Sequence, residues 1–243
     1  MLQNKTYWIV GASEGLGRAL AIELDRCGAN LVLSARSKSR LTELQQVLNH
    51  RAKIVPMDVS DASSVASVAE SLEKIDGLIF VAALYEPMSA LDWEVSTSET
   101  IADVNFVGAI RVLGRIVPDF VKRKAGHIVI IGSLSGYRGL PGALAYGASK
   151  AGLMHLAEAM RIDLCKTPIK VQLFNLGFIQ TRLTAKNRFS MPFIMTPQTT
   201  AKAIVSGMSK SKFKLDTPFW FSLVFRLSRL LPQRAYEYLF AKA

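Results

Sequence analysis

Apolar residues in this chain come in short, nearly continuous runs, and between the runs they recur at helical spacing. Six runs read as β-strands: 6–10 (TYWIV), 29–35 (ANLVLSA), 52–57 (AKIVPM), 77–83 (GLIFVAA), 126–132 (GHIVIIG) and 169–175 (IKVQLFN). Helical patterns follow the first five, over 15–27, 38–49, 61–74, 98–122 and 146–166. Runs of five to seven residues without polar alternation suit strands buried on both faces. Strand–helix alternation with crossovers this long predicts a parallel sheet with helices on both sides. No Pro/Gly/Ser-rich linker, repeat or low-complexity stretch interrupts the alternation. The expected architecture is a single α/β, doubly wound domain over 1–216.

Two segments break the rhythm. Residues 178–197 (FIQTRLTAKNRFSMPFIMTP) lack clear periodicity, and long irregular stretches in compact domains are often lids. An ordinary surface connection is the alternative, although Phe189, Met191, Phe193, Ile194 and Met195 would be costly to leave in water. The second segment, 217–243, reads as an amphipathic helical extension. On a helix, Ser222, Arg226, Arg229 and Gln233 share one polar stripe. Phe219, Leu223, Leu227 and Leu230 lie off it, beside Trp220, Phe225 and Leu231. Pro232 would end or kink the helix. Three readings stand side by side: docking on the protein's own body or a subunit partner, an interfacial helix on an anionic membrane, and a wall for a long apolar substrate. Lys210, Lys212 and Lys214 just upstream suit a membrane surface, but three exposed lysines are also ordinary.

Composition narrows the class. Of 243 residues, 50% are hydrophobic and 20% charged, which excludes a disordered chain and allows a sizeable core. Cys27 and Cys165 cannot make a disulfide framework or a cysteine-only zinc site. Both sit in helical patterns and are expected to be reduced packing residues. The opening MLQNKTYWIVGAS holds no apolar stretch of leader length. No window reaches the roughly 18 apolar residues needed to span a bilayer, so a cytoplasmic protein is expected. The net charge of +11 would suit an anionic partner. The basic residues are dispersed, however, and form no nucleic-acid motif, so nucleic-acid binding is not expected. His50, His127 and His155 show no ligand spacing, and no metal is expected.

The chemistry begins at Gly11-Ala12-Ser13-Glu14-Gly15-Leu16-Gly17, between the first strand and its helix. Glycines let backbone approach a pyrophosphate, and a helix N-terminus offers N–H groups and a positive dipole end. A tight turn without a ligand is the bland alternative. Arg36 and Ser37 follow the second strand. A carboxylate there would bond a ribose hydroxyl, whereas a guanidinium pairs with a 2′-phosphate. Arg36 with Ser37 therefore favours NADP(H), with NAD(H) the alternative, since Glu14 opposes that phosphate. Asp58 is either a partner for the adenine amine or part of a helix cap ahead of Asp61.

Tyr146 and Lys150 are four residues apart at a helix start, on one face. A nearby ammonium lowers a phenol pKa, and such a pair can exchange a proton with an alcohol or carbonyl oxygen. Ser133 ends the fifth strand at the carboxyl edge, where open α/β sheets bind ligands. Asn105 lies inside a long helix, where it either bonds something outside that helix or sits on a solvated face.

With these motifs in order, the chain resembles the short-chain dehydrogenase/reductase family over roughly residues 5–210. GASEGLG at 11–17, Asp58-Val59, Asn105, Ser133, Tyr146-Gly-Ala-Ser-Lys150 and Asn175-Leu-Gly-Phe-Ile-Gln-Thr181 carry the resemblance. It implies a predominantly parallel, seven-stranded Rossmann sheet and reversible hydride transfer between a nicotinamide and a carbonyl or alcohol. Tyr146 is then the general acid/base. Lys150 lowers the Tyr146 pKa and binds the nicotinamide ribose. Ser133 bonds the substrate oxygen, and Asn105 holds a water of a proton relay from Lys150. Gly11, Ser13, Gly15, Leu16 and Gly17 surround the adenosine and phosphates. Asp58 and Val59 meet the adenine. Ala82 and Ala83 border the adenosine pocket, and Gly177, Ile179 and Thr181 the nicotinamide. Residues 178–197 become the substrate lid.

The family's Asn-Asn-Ala-Gly is replaced by Phe80-Val81-Ala82-Ala83, and its Pro-Gly by Leu176-Gly177, which frees the lid hinge. The expected function is an NADP(H)-preferring carbonyl reductase or alcohol dehydrogenase for a small hydrophobic, acyl-chain-like substrate, working as a homodimer or homotetramer. A catalytically silent redox sensor and a peripheral membrane scaffold are the rival readings.

Overall fold

The computed structural model describes residues 2–50, 52–187 and 189–240. Seven strands form one sheet: β1 (Thr6–Val10), β2 (Asn30–Ser34), β3 (Lys53–Ile54), β4 (Gly77–Phe80), β5 (His127–Ser133), β6 (Lys170–Leu176) and β7 (Lys214–Thr217). Their spatial order is β3-β2-β1-β4-β5-β6-β7, and every neighbouring pair is parallel. The six apolar runs supply β1 to β6. β7 has the sequence KLDT and is half-buried along its length. An edge strand pairs on one side only, so nothing requires it to be apolar, and hydrophobic patterning does not reveal it.

The crossovers are α1 (Gly15–Arg26), α2 (Lys38–Gln46), α3 (Ala62–Ser71), α4 (Val95–Ala102) leading into α5 (Gly108–Lys122), α6 (Leu144–Asp163) and α7 (Pro197–Met208). A single π-helical turn, Asp103–Val107, joins α4 to α5. Buried apolar side chains form two clusters, one on each face of the sheet. Trp8, Phe80, Phe120 and Leu153 belong to one, Leu20, Leu33, Leu41 and Phe174 to the other. Beyond β7 lie α8 (Phe219–Ser228) and α9 (Gln233–Phe240), after a cis Thr217–Pro218 bond.

Helix ends depart from the pattern for identifiable reasons. The buried Asp25 carboxylate accepts four bonds, from the backbone N–H and side chains of Asn49 and His50, at 2.8–3.0 Å. That capture draws the chain out of helix after Gln46. Cys27 and Cys165 are exposed rather than packed. α1 and α6 end at Arg26 and Asp163, so both cysteines fall beyond the buried stripe. The extension breaks at Arg229, ahead of Pro232, and its buried face cuts across the expected stripes, with Arg226, Arg229 and Gln233 exposed. Ser222, Phe225 and Ser228 face the body, whereas Phe219, Trp220, Leu227 and Leu230 face outward. Among the described residues no helix is long and apolar enough to cross a membrane.

Candidate active site

The strand order reverses direction at β1, so the crossovers leaving β1 and β4 diverge and open a crevice at the carboxyl edge. A cavity of about 750 Å³ occupies it. Gly11, Ser13, Glu14, Gly15, Leu16, Gly17, Arg36, Ser37, Asp58, Val59, Ala82, Ala83, Ser133, Tyr146, Lys150, Gly177, Ile179 and Thr181 all line it. Of the residues expected at the site, only Asn105 does not.

The glycine turn fits a dinucleotide sterically. Gly11 has φ 99°, and a Cβ there would lie 2.6 Å from the Ala82 nitrogen. A Cβ on Gly17 would meet the Gly11 carbonyl oxygen at 2.0 Å. α1 begins at Gly15 without a side-chain cap, so its first N–H groups are left for a ligand at the cavity floor. Glu14 instead bridges two guanidinium groups, Arg40 at 3.0 Å and Arg182 at 2.5 Å. Its charge is thereby offset, and Arg36 and Arg40 both line the cavity beyond β2. Asp58 accepts the N–H and hydroxyl of Ser60 on Oδ1 at 2.9 and 2.6 Å, a local turn role, while Asp61 caps α3.

At the other end, Ser133 closes β5 and Tyr146 and Lys150 stand on the first turns of α6. The Ser133 oxygen accepts from the N–H and hydroxyl of Ser135 at 3.2 and 2.9 Å. Desolvation in the apolar cavity pushes Tyr146 up to about 12, against a smaller pull downward from its hydrogen bond with Ser133. Lys150 donates to the Ile131 carbonyl at 3.0 Å, and burial lowers its pKa to about 8. Its Nζ lies 5.7 Å from the Tyr146 ring centroid. In the chain alone, desolvation of the phenol therefore dominates the Tyr146 shift.

Asn105 stands in the π-helical turn, a distortion frequent at functional sites. Its side chain is fully buried. Oδ1 accepts the Leu84 N–H at 2.6 Å, and Nδ2 donates to the Leu84 carbonyl at 2.9 Å and the Ser149 hydroxyl at 3.0 Å. This amide thus clamps the β4 exit to α6. Both amide hydrogens are used within the protein.

Sequence reasoning missed several residues. Tyr85 stacks edge-on against Tyr146 at 4.9 Å and donates to Asn187 Oδ1 at 2.6 Å. Lys186 pairs with Glu86, and Arg182 with Glu14, so 182–187 is tied to the body at three places. None of these residues carries a local sequence signal, because each pairing spans 61 positions or more. The end of the cavity beside α8 and residues 178–197 is apolar. Phe178, Phe189, Phe221 and Phe225 line it, and rings of Phe178, Phe193 and Phe221 contact at 5.4–6.0 Å.

An open parallel sheet with a glycine cradle and a Ser/Tyr/Lys cluster at one mouth defines a dinucleotide-dependent oxidoreductase. Residues 5–191 match the family described as short chain dehydrogenase. A protein of Myxococcus xanthus described as an uncharacterized oxidoreductase is 32% identical over 245 residues, covering 97% of this chain and 96% of that one. Among solved structures, a short-chain dehydrogenase from Streptomyces avermitilis superposes with TM-score 0.86 at 22% identity, over 99% and 97% of the two chains. One from Sphingobium yanoikuyae in complex with NADPH gives 0.82 at 24% identity, over 94% and 97%. The chain belongs to the short-chain dehydrogenase/reductase family and is an NAD(P)-dependent dehydrogenase/reductase.

Proposed function

We propose that this enzyme is an NADP(H)-preferring reductase of a hydrophobic, acyl-chain-like carbonyl compound, reversible toward alcohol oxidation. The convergence of Ser133, Tyr146 and Lys150 on the cavity that also holds the glycine cradle carries this reading. Arg36 and Arg40 at the adenosine end, with Glu14 occupied by Arg40 and Arg182, support NADP(H) over NAD(H). The NADPH-bound relative agrees with that choice. Phenylalanines lining the far end support an apolar substrate.

The bound nicotinamide supplies the hydride. The chain's own residues handle the oxygen and its proton. Ser133 orients the substrate oxygen by hydrogen bonding. Tyr146, protonated at neutral pH because it is buried, gives its proton to that oxygen as the alcohol forms. Lys150 stands close enough to stabilise the phenolate left behind and to bond the cofactor ribose. Asp58, Val59, Ala82 and Ala83 border the adenosine, and Gly177, Ile179 and Thr181 the carboxamide. Asn105 is a positioning residue that holds Leu84 and Ser149 around the site. Residues 178–197 act as the lid. Exposed Ile110, Val121 and Ile162 on α5 and α6 support assembly through those helices as a homodimer or homotetramer.

The test pairs titration of purified protein with NADPH and NADH with turnover on carbonyl compounds of increasing chain length. The expected result is tighter NADPH binding and kcat/KM rising with chain length. Tyr146→Phe should lower kcat by about 10²–10⁴ with cofactor affinity nearly unchanged. Retained turnover would remove Tyr146 from the acid/base role.

A further inference from the structure

α8 carries its hydrophobic stripe on the wrong side for a helix that merely docks on its own domain. Phe219, Trp220, Leu227 and Leu230 are 55%, 78%, 58% and 80% exposed. Ser222 and Ser228 are turned inward beside Phe225, while Arg226 and Arg229 stay exposed, and the two serines are satisfied without water. Ser222 Oγ donates to the Phe219 carbonyl at 2.6 Å, and Ser228 Oγ to the Phe225 carbonyl at 2.7 Å. The orientation is held by the body. Arg138 donates to the carbonyls of Ser228 and Leu231, and its guanidinium lies 3.8 Å over the Tyr236 ring. Tyr236 in turn donates to the Gly139 carbonyl at 2.6 Å. The apolar face is therefore fixed outward by specific contacts on its inner side. It continues onto the lid, where the exposed Phe193 meets Phe221 at 5.4 Å.

Charge selects the occupant. A hollow of about 330 Å³ beside α8 is lined by Lys214, Arg226, Arg229, Tyr137 and Asp216. Lys214 pairs with Glu158 at 2.6 Å and Arg226 with Asp216 at 3.9 Å, so with Arg229 the hollow keeps one net positive charge, and from Lys202 to Phe240 the chain has seven basic and two acidic residues. A second copy on this face would set one +11 body against another, arginines included. An anionic lipid surface is attracted by the same charges and also accepts the apolar face. We infer that α8 and the adjoining lid dock in the interface of an anionic bilayer, with Arg226 and Arg229 at headgroup level. Val224 lines the catalytic cavity and is itself half-exposed on this helix, so the docked face borders the cavity mouth. Delivery of an apolar substrate from the bilayer rests on the proposed function, whereas docking does not.

The test is flotation of the full chain with vesicles of equal parts phosphatidylcholine and phosphatidylglycerol, and with phosphatidylcholine alone. The protein should float with the anionic vesicles only. A Trp220→Ser, Leu227→Ser, Leu230→Ser variant should lose at least tenfold in partitioning, with its thermal melt and NADPH affinity unchanged, because all three residues lie outside the cavity lining. Arg226→Gln and Arg229→Gln should each lower anionic-vesicle partitioning about fivefold. Absence of flotation, equal partitioning of wild type and triple variant, or a dimer that the triple variant abolishes without any vesicle binding would each overturn the inference. NADPH binding is read separately, so failure of the enzymatic reading remains distinguishable.

Discussion

Burial shifts Tyr146, Lys150 and His127 more than their neighbours do. Tyr146 at about 12 and Lys150 at about 8 have both moved away from the charged form. His127 shows the same effect away from the site. Tyr7 and Gln172 flank its ring at 2.8 and 2.9 Å, and burial lowers its pKa to about 4. Folding excludes a proton that the unfolded chain binds below about 6.5. Stability is therefore full above that pH and falls between about 6.5 and 4, by about 3 kcal/mol for this group. Urea unfolding at pH 7 and pH 5 should show the loss, with a shallower slope in His127→Gln. Arg36→Asp belongs to this scale too. Removing a charge-assisted bond to the 2′-phosphate should weaken NADPH binding about tenfold to a hundredfold and favour NADH. An unchanged ratio would place the determinant at Arg40 or Arg182.

At the scale of elements, most strands and helices are legible and their ends are not. The motif GASEGLG can be read locally because a sharp turn, a close backbone approach and a helix start all demand it within seven residues. The end of α2 cannot, because it depends on Asp25, more than twenty positions earlier. The segment after β6 likewise shows nothing in its own sequence of Glu14, Tyr85 or Glu86, to which Arg182, Asn187 and Lys186 tie it. Tyr85→Phe removes one tie while keeping the ring beside Tyr146. A hydrogen bond of about 0.5–1.5 kcal/mol predicts a substrate KM raised about twofold to tenfold, with kcat changed less. A KM equal to wild type would mean that the Tyr85–Asn187 contact does not hold the lid closed.

For the whole molecule, charge and shape act together. The +11 charge attracts anionic surfaces at a range set by salt. The screening length shrinks from about 10 Å at 0.1 M to about 3 Å at 1 M. Vesicle partitioning should fall steeply across that interval, toward the level seen with phosphatidylcholine alone. The residue pattern alone determined the alternating α/β order, the parallel sheet, the glycine turn and the Ser133, Tyr146 and Lys150 cluster. Each follows from periodicity or from chemistry confined to a short stretch. Tertiary structure alone decided that β7 completes the sheet, that Asn105 clamps Leu84, that desolvation shifts Tyr146 upward, and that α8 leaves Trp220, Leu227 and Leu230 exposed. These depend on which surfaces meet across long sequence separations, and helical periodicity, which marks a stripe, does not say which side the body covers.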